Sequence, residues 1–222
     1  MADSTSSHPP RNRPDATEAP QKRFSPSSAQ TSSELTELRA RLHRSLRQFP
    51  DFPSPGILFE DILPLFADAL LHRSLLRALE LQVTDSFGQG QTPDVIVGLE
   101  ARGFLFGPSL ALKLGAGFVP VRKQGKLPGP TETASFKKEY GEDFFQIQSD
   151  AVKPGQRVLV VDDIIATGGS AAAAGSLVKK LGGTLLGYIF ILELDFLKGR
   201  DKLDAPVHTL LSSQEEGGDD TT

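Results

Sequence analysis

From Thr31 onward, Leu35, Leu38, Leu42, Leu46 and Phe49 recur at three- and four-residue spacing, the mark of an amphipathic helix. Thr31 and Glu34 have the spacing of a capping box, and Pro50 and Pro53 supply the stop. "FPDFPSPGILFEDILPLF" (49–66) carries too many prolines for a helix or a central strand and is expected to be an ordered, partly apolar loop, followed by a second helix over about 67–83. Beyond the Gly/Gln-rich break at 88–91 the period changes. "DVIVGLEA" (94–101) reads as a buried strand, "GFLFGPSLALKLG" (103–115) as a helix with Pro108 near its start, and "FVPVRK" (118–123) as a strand. A polar loop (124–142) comes next, then an alternating strand "DFFQIQ" (143–148), the strand "RVLVVDD" (157–163), a helix over 169–181 and the strand "TLLGYIFILEL" (184–194). Strands that alternate with helices and are apolar on both faces predict an α/β fold: an open, mainly parallel sheet flanked by helices, with its ligands bound beyond the carboxyl ends of the strands.

Composition bounds this picture. The 222 residues, 38% hydrophobic and 23% charged, suit one globular domain, expected over 32–211. Residues 1–31 are rich in Ser, Pro, Thr and Gln and are expected to be a disordered leader; Asp3, Asp15 and Glu18 interrupt the acid-poor pattern of a transit peptide. Residues 212–222 read as a disordered acidic tail. Its Glu215, Glu216, Asp219 and Asp220 equal the whole net charge of −4, so the remainder is near neutral and lacks the basic footprint of a nucleic-acid-binding surface. There is no cysteine, which excludes disulfides, thiolate metal sites and a cysteine nucleophile. With no apolar run near the ~20 residues of a membrane span, no membrane partner is expected and the cytoplasm is the expected compartment.

The chemistry concentrates in "VLVVDDIIATGGS" (158–170). A central strand ending here puts Asp162 and Asp163 in the ligand crevice. Gly168 and Gly169 let backbone N–H groups approach an anion, Thr167 and Ser170 add hydroxyls, and the following helix contributes about half a positive charge at its N-terminus. Ala166–Ser170 is therefore expected to hold a phosphate. Carboxylates beside a phosphate need donors of their own, and the vicinal hydroxyls of a sugar supply them, which suggests a ribose 5-phosphate laid from the acids into the loop. Helix-capping acids are the plainer alternative, and a paired-acid Mg2+ site is another. No lysine follows the glycines, so this is not a Walker loop.

This stretch resembles the phosphoribosyl-pyrophosphate signature of the type I phosphoribosyltransferases. Three more stretches, "FPDFPSPGILFEDILPLF", "GLEARGFLFGP" and "VRKQGKLPG" with "EYG", resemble the adenine phosphoribosyltransferase family over about residues 34–203. The resemblance implies the type I fold with an N-terminal hood and a flexible β-loop lid, and the conversion of adenine and 5-phosphoribosyl 1-pyrophosphate into AMP and diphosphate, a purine-salvage reaction. It implies Mg2+ held mainly by substrate oxygens rather than by a dedicated protein cage, and a homodimer.

By the same resemblance, Ala166, Thr167, Gly168, Gly169 and Ser170 hold the 5-phosphate and Asp162 and Asp163 the ribose. Ala101 and Arg102 meet the diphosphate, after a non-proline cis bond at Glu100–Ala101, and Arg122, Lys123 and Lys126 contact it too, some of them across a dimer interface. Leu58 through its backbone, Phe59 by stacking and Leu194 from the other face would bind adenine, while some relatives carry a basic residue where this chain has Glu60. Glu139, as proton acceptor, and Tyr140 would act from the lid beside Arg102. Two other functions keep the same sugar site: transfer to a 6-oxopurine or xanthine, and a non-catalytic sensor of phosphoribosyl pyrophosphate or AMP.

Overall fold

The computed structural model describes residues 28–52, 55–56, 58–88, 90–137 and 141–212. The first helix, α1 (Ser28–His43), is amphipathic as expected: Leu35 and Leu42 are buried, with Leu38 and Leu46 packed beside them. It begins before Thr31, so the expected capping box does not form, and Glu34 instead takes a forked pair of hydrogen bonds from Arg77, 2.8 and 2.9 Å long. Phe49 leaves the helical stripe for a short strand and is 45% exposed.

Residues 49–66 are more regular than their prolines suggest. Strand β1 (Arg47–Pro50) pairs antiparallel with β2 (Leu58–Asp61), Phe49 opposite Phe59. Pro50 ends β1, Pro55 lies in the connection and Pro64 opens the helix that follows, places where a proline is tolerated. A one-turn helix α2 (Pro64–Ala67) then leads to α3 (Ala69–Phe87), whose N-cap Asp68 accepts from Leu70 N–H and Leu71 N–H, both at 2.8 Å.

Strand β3 (Val95–Leu99) is buried along its whole length. A 3-10 turn (Arg102–Leu105) and α4 (Gly107–Leu114) follow, with Pro108 in the first turn of the helix, where its missing N–H costs nothing. Next come β4 (Gly117–Lys123), β5 (Thr131–Lys137), β6 (Glu142–Gln148), β7 (Arg157–Ile165), α5 (Gly169–Lys180), β8 (Thr184–Glu193), two 3-10 turns and β9 (Val207–Ser212). Much of the expected polar loop 124–142 is thus a strand, β5, paired with β6 from Thr131 opposite Gln148 to Lys137 opposite Glu142. Ser135 is exposed, while Phe136 is buried and meets the Phe145 ring at 4.7 Å. Strand β9 lies outside the expected pattern as well.

The seven-stranded sheet has the order β5-β6-β4-β3-β7-β8-β9. Neighbours from β4 to β9 pair in parallel, and β6 pairs antiparallel with both β4 and β5. Alternation along the central strands sends side chains to two cores. Ile96, Leu159, Val161, Ile189 and Ile191 face α1, α3 and α4, while Val95, Val97, Val158, Val160, Tyr188 and Phe190 face α5 and the β5–β6 hairpin. Each fully buried aliphatic side chain contributes roughly 1.5–3 kcal/mol, so the sheet is a rigid base for the loops at its carboxyl edge. The chain runs outward from β3 to β4 on one side and returns to β7 on the other. The switch point of the sheet therefore lies between β3 and β7.

Candidate active site

A cavity of about 430 Å³ opens at that switch point. Its wall comes from the segment after β3, with Ala101 and Arg102, and from the end of β7 and the loop that follows it, with Asp162, Asp163 and the whole Ala166–Ser170 loop. Nine of the residues expected on the phosphate, ribose and diphosphate are thus brought together by two adjacent parallel strands.

Gly168 caps α5 in the left-handed region, with φ 76° and ψ −7°, a conformation open to glycine at little cost. This turns the chain so that the N–H groups of the first turn of α5, which have no intrahelical acceptor, face the cavity with the positive end of the helix. The peptide between Glu100 and Ala101 is cis, as the resemblance implied. Gly103 lets the turn after Arg102 lie against β7, since a Cβ there would stand 2.8 Å from the Val161 carbonyl oxygen.

The acids are unequal. Asp163 is 3% exposed, and its Oδ2 lies 2.5 Å from Arg102 Nε. That contact is an ion pair without hydrogen-bond alignment, because Asp163 Oδ2 has no hydrogen-bond partner among the described residues. Asp162 keeps some exposed surface and its Oδ1 accepts from Asp163 N–H at 2.9 Å. Loss of water around Asp162 pushes its carboxyl well above the usual carboxylate range; the charge of Asp163 adds to this and that of Arg102 opposes it.

Glu100 also lines the cavity and organises the basic cluster on β4. Its Oε2 and Oε1 each accept from the Arg122 guanidinium at 3.2 Å, and Lys123 N–H donates to Oε2 at 3.0 Å. The hydrogen bonds from Arg122 hold the Glu100 carboxyl below its ordinary range. Arg122 also donates to the Lys126 carbonyl oxygen at 3.3 Å. Glu100 and Arg122 thus tie together the main chain of Lys123 and Lys126, but Arg122, Lys123 and Lys126 stand beside the cavity and do not line it.

The residues expected on adenine are placed apart. Leu58 and Phe59 sit on β2 of the hairpin, where Phe59 meets the Phe52 ring edge to face at 5.1 Å, and neither lines the cavity. Leu194 is at the rim, its N–H donating to the carbonyl of the wall residue Ile165 at 3.0 Å. Glu60 is 5% exposed: Gln48 donates to its Oε1 at 3.2 Å, and its Oε2 has no hydrogen-bond partner among the described residues. Glu139 and Tyr140 lie outside the described residues. Phe145 and Phe190 line the cavity unannounced by the sequence, since a phenylalanine within an apolar strand carries no signal that separates a site wall from a core.

A model of the phosphoribosyl transferase domain matches residues 68–220. The adenine phosphoribosyltransferase of Yarrowia lipolytica is 65% identical over 181 residues, which cover 82% of this chain and 99% of that protein. Adenine phosphoribosyltransferase 1 of Saccharomyces cerevisiae is 58% identical over 180 residues, 81% of this chain and 94% of that protein. The crystal structure of the Saccharomyces cerevisiae enzyme complexed with an imino-altritol bisphosphate and adenine superposes with a TM-score of 0.77 at 57% identity, covering 79% of this chain and 99% of that one. Adenine phosphoribosyltransferase from Thermoanaerobacter pseudethanolicus gives a TM-score of 0.73 at 44% identity, with 79% and 99% covered. A domain matched over most of the chain, on a sheet whose switch point carries two acids beside a phosphate-shaped loop, places this chain in the adenine phosphoribosyltransferase family.

Proposed function

We propose that the chain catalyses adenine + 5-phosphoribosyl 1-pyrophosphate → AMP + diphosphate, and that its cavity is the phosphoribosyl site. The observation that carries this reading is the pairing across one cavity of Arg102 with the Asp162–Ser170 segment. The Ala166–Ser170 loop offers backbone donors and the Thr167 and Ser170 hydroxyls to the 5-phosphate, Asp162 and Asp163 accept from the ribose hydroxyls, and Arg102 turns to the diphosphate. The bond between the anomeric carbon and the diphosphate oxygen breaks as the bond to adenine N9 forms, through an oxocarbenium-like state. The diphosphate leaves with the bonding pair, and the N9 proton passes to Glu139, with Tyr140 beside it.

Mg2+ fits the residues present. Asp163 Oδ2, buried beside the cavity, is held by the Arg102 ion pair without a hydrogen bond and would be one carboxylate oxygen open to a cation once Arg102 turns to the diphosphate. This suits an ion that keeps most of its coordination for substrate oxygens and water. When bound, Mg2+ offsets the charge of the diphosphate. Arg122, Lys123 and Lys126 add positive charge; their place outside the wall suits a supply to the neighbouring site of a homodimer. Leu105 and Leu112, 42% and 83% exposed in the segment that follows Arg102, offer apolar surface for such a partner.

Adenine is read by the Leu58 main chain, the Phe59 ring and Leu194. A donor–acceptor pair on the backbone matches the N1 and 6-amino edge of adenine and opposes the reversed edge of a 6-oxopurine. No described helix is long and apolar enough to cross a membrane, and we assign the enzyme to the cytoplasm. AMP formation from adenine and IMP formation from hypoxanthine, measured side by side, test the reading. Adenine is expected to be favoured in kcat/KM by about 10² or more; equal turnover of hypoxanthine would move the substrate to the 6-oxopurines, and phosphoribosyl-pyrophosphate binding without turnover would make the chain a sensor.

A further inference from the structure

The segment from Leu194 to Leu203 makes two 3-10 turns, Asp195–Leu197 and Gly199–Lys202, and passes over the carboxyl edge of the sheet. Its buried Gly199 touches the phosphate loop backbone to backbone. A Cβ on Gly199 would collide with the Ala166 carbonyl oxygen and stand 2.9 Å from Gly168 N, and a Cβ on Gly168 would collide with the Gly199 carbonyl oxygen. Each glycine is therefore required by the other, apart from the positive φ that Gly168 needs for its turn. Lys198, just before the contact, also sits in the left-handed region at φ 49°, which a lysine adopts only when its surroundings hold it there.

What holds this segment is the next residue. Arg200 Nε donates to Glu193 Oε1 at 2.8 Å and its Nη2 approaches Glu193 Oε2 at 2.5 Å, while Nη1 donates to the Val207 carbonyl at 2.6 Å and Nη2 to Thr209 Oγ1 at 3.1 Å. The Glu193 side chain is 7% exposed at the end of β8, and Val207 and Thr209 belong to β9. One planar guanidinium thus clamps the segment to two strands, a task that its fixed fork performs and an ammonium does not. At the other end, the Leu194 N–H bonds to Ile165, one residue before the phosphate loop.

We infer that Gly199 and Arg200 are positioning residues for the 5-phosphate site, the Arg200 clamp pressing the Gly199 backbone against Ala166 and Gly168 so that the phosphate loop keeps its anion-binding shape. The inference rests on the reading of Ala166–Ser170 as the phosphate loop. Neither residue touches the phosphate in this scheme. Their removal loosens the 5-phosphate half of the substrate, while Leu194, the adenine contact at the start of the segment, keeps its own bond to Ile165.

The test measures calorimetric affinity for ribose 5-phosphate, together with kcat and the two KM values, on the full chain and on Thr167→Ala, Arg200→Ala, Arg200→Lys and Gly199→Ala. Arg200→Ala and Gly199→Ala are expected to weaken ribose 5-phosphate by about tenfold or more, in line with the cost of small displacements remote from the reacting atoms, and to raise the KM for phosphoribosyl pyrophosphate in parallel. The KM for adenine should stay within about twofold, and Arg200→Lys, which keeps the charge but loses the fork, should fall between Arg200→Ala and the unaltered chain. Unaltered ribose 5-phosphate affinity in folded Arg200 variants would overturn the inference, as would an equal loss of both substrates, the sign of general loosening. Should Gly199→Ala not fold, the Arg200 pair decides alone. Failure of Thr167→Ala to weaken ribose 5-phosphate would instead remove the phosphate-loop reading on which the inference stands.

Discussion

Arg102 Nε lies 2.5 Å from Asp163 Oδ2 across the cavity, so the cation assigned to the departing diphosphate is held by a carboxylate assigned to the ribose. Half of the Arg102 side chain is exposed while that of Asp163 is 4% exposed, so the acid is the fixed partner and the guanidinium the one free to swing. In the proposed reaction a diphosphate bound beside Arg102 would compete with Asp163 for it, and the move of the guanidinium would free Asp163 for the sugar.

Arg102→Ala is therefore expected to lower kcat/KM for phosphoribosyl pyrophosphate by about 10²–10³, the cost of losing one preorganised donor to a developing anion. Arg102→Lys should recover only part of this, since an ammonium cannot fork two oxygens. Steady-state kinetics with the concentration of phosphoribosyl pyrophosphate varied decides it: a kcat/KM within threefold of the unaltered chain would remove Arg102 from the diphosphate site.

Gly103→Ala tests the support of that arginine. The added methyl carbon would stand 2.8 Å from the Val161 carbonyl oxygen, a backbone atom that cannot turn aside. The 3-10 turn must then lift from β7, at about 1–3 kcal/mol for overpacking, and it carries Arg102 with it. Both a lower denaturation midpoint and a reduced kcat/KM are expected. Unchanged stability in urea would show that the turn is looser than this contact implies.

Glu139 carries the proton chemistry in the proposal. Glu139→Gln keeps the size of the side chain and removes its basicity, so kcat should fall by about 10²–10⁴ while AMP binds within a few-fold of its former affinity. Equal loss in binding and turnover would recast Glu139 as a contact that anchors the nucleotide.

The parts of the chain legible in advance are those where one physical demand dominates. Strands β3, β7 and β8 are buried on both faces and read as unbroken apolar runs; the 158–170 stretch shows its glycines because a cradle and a left-handed cap tolerate little else. Strand β5 was hidden by its composition: Thr131, Glu132, Thr133 and Ser135 read as loop, and only Ala134 and Phe136 carry the inward face. The β1–β2 hairpin was hidden by prolines placed where a ladder tolerates them. Glu34 has the spacing of a cap but bonds to Arg77, 43 residues on, a tertiary choice that local pattern does not contain. In the site, Glu100 and Phe190 escaped notice for the same reason: their role comes from which strands end side by side.

The pH dependence of stability has a sharp test at the opposite edge of the sheet. Asp94, just before β3, accepts from the Arg157 side chain at 2.8 and 3.2 Å and from Arg157 N–H at 2.7 Å, while Asp94 N–H returns a bond to the Arg157 carbonyl at 2.8 Å. The hydrogen bonds from the Arg157 side chain, then that from its backbone, lower the Asp94 carboxyl from 3.8 to about 2. A depressed folded-state value means that the unfolded chain takes up the proton first as acid is added. The contribution is therefore complete above about pH 4 and is lost as the pH falls toward about 2. Asp94→Asn removes the titrating proton site and turns one of the two acceptor oxygens into a donor, a loss that does not itself vary with pH. The difference in melting temperature between the unaltered chain and Asp94→Asn should be constant from pH 5 to 7, shrink steadily below pH 4 and be smallest near pH 2; the unchanged carboxylates elsewhere cancel in the difference. A gap that stays constant down to pH 2 would mean that the pair stabilises by its shape and packing, with no part played by the charge of Asp94.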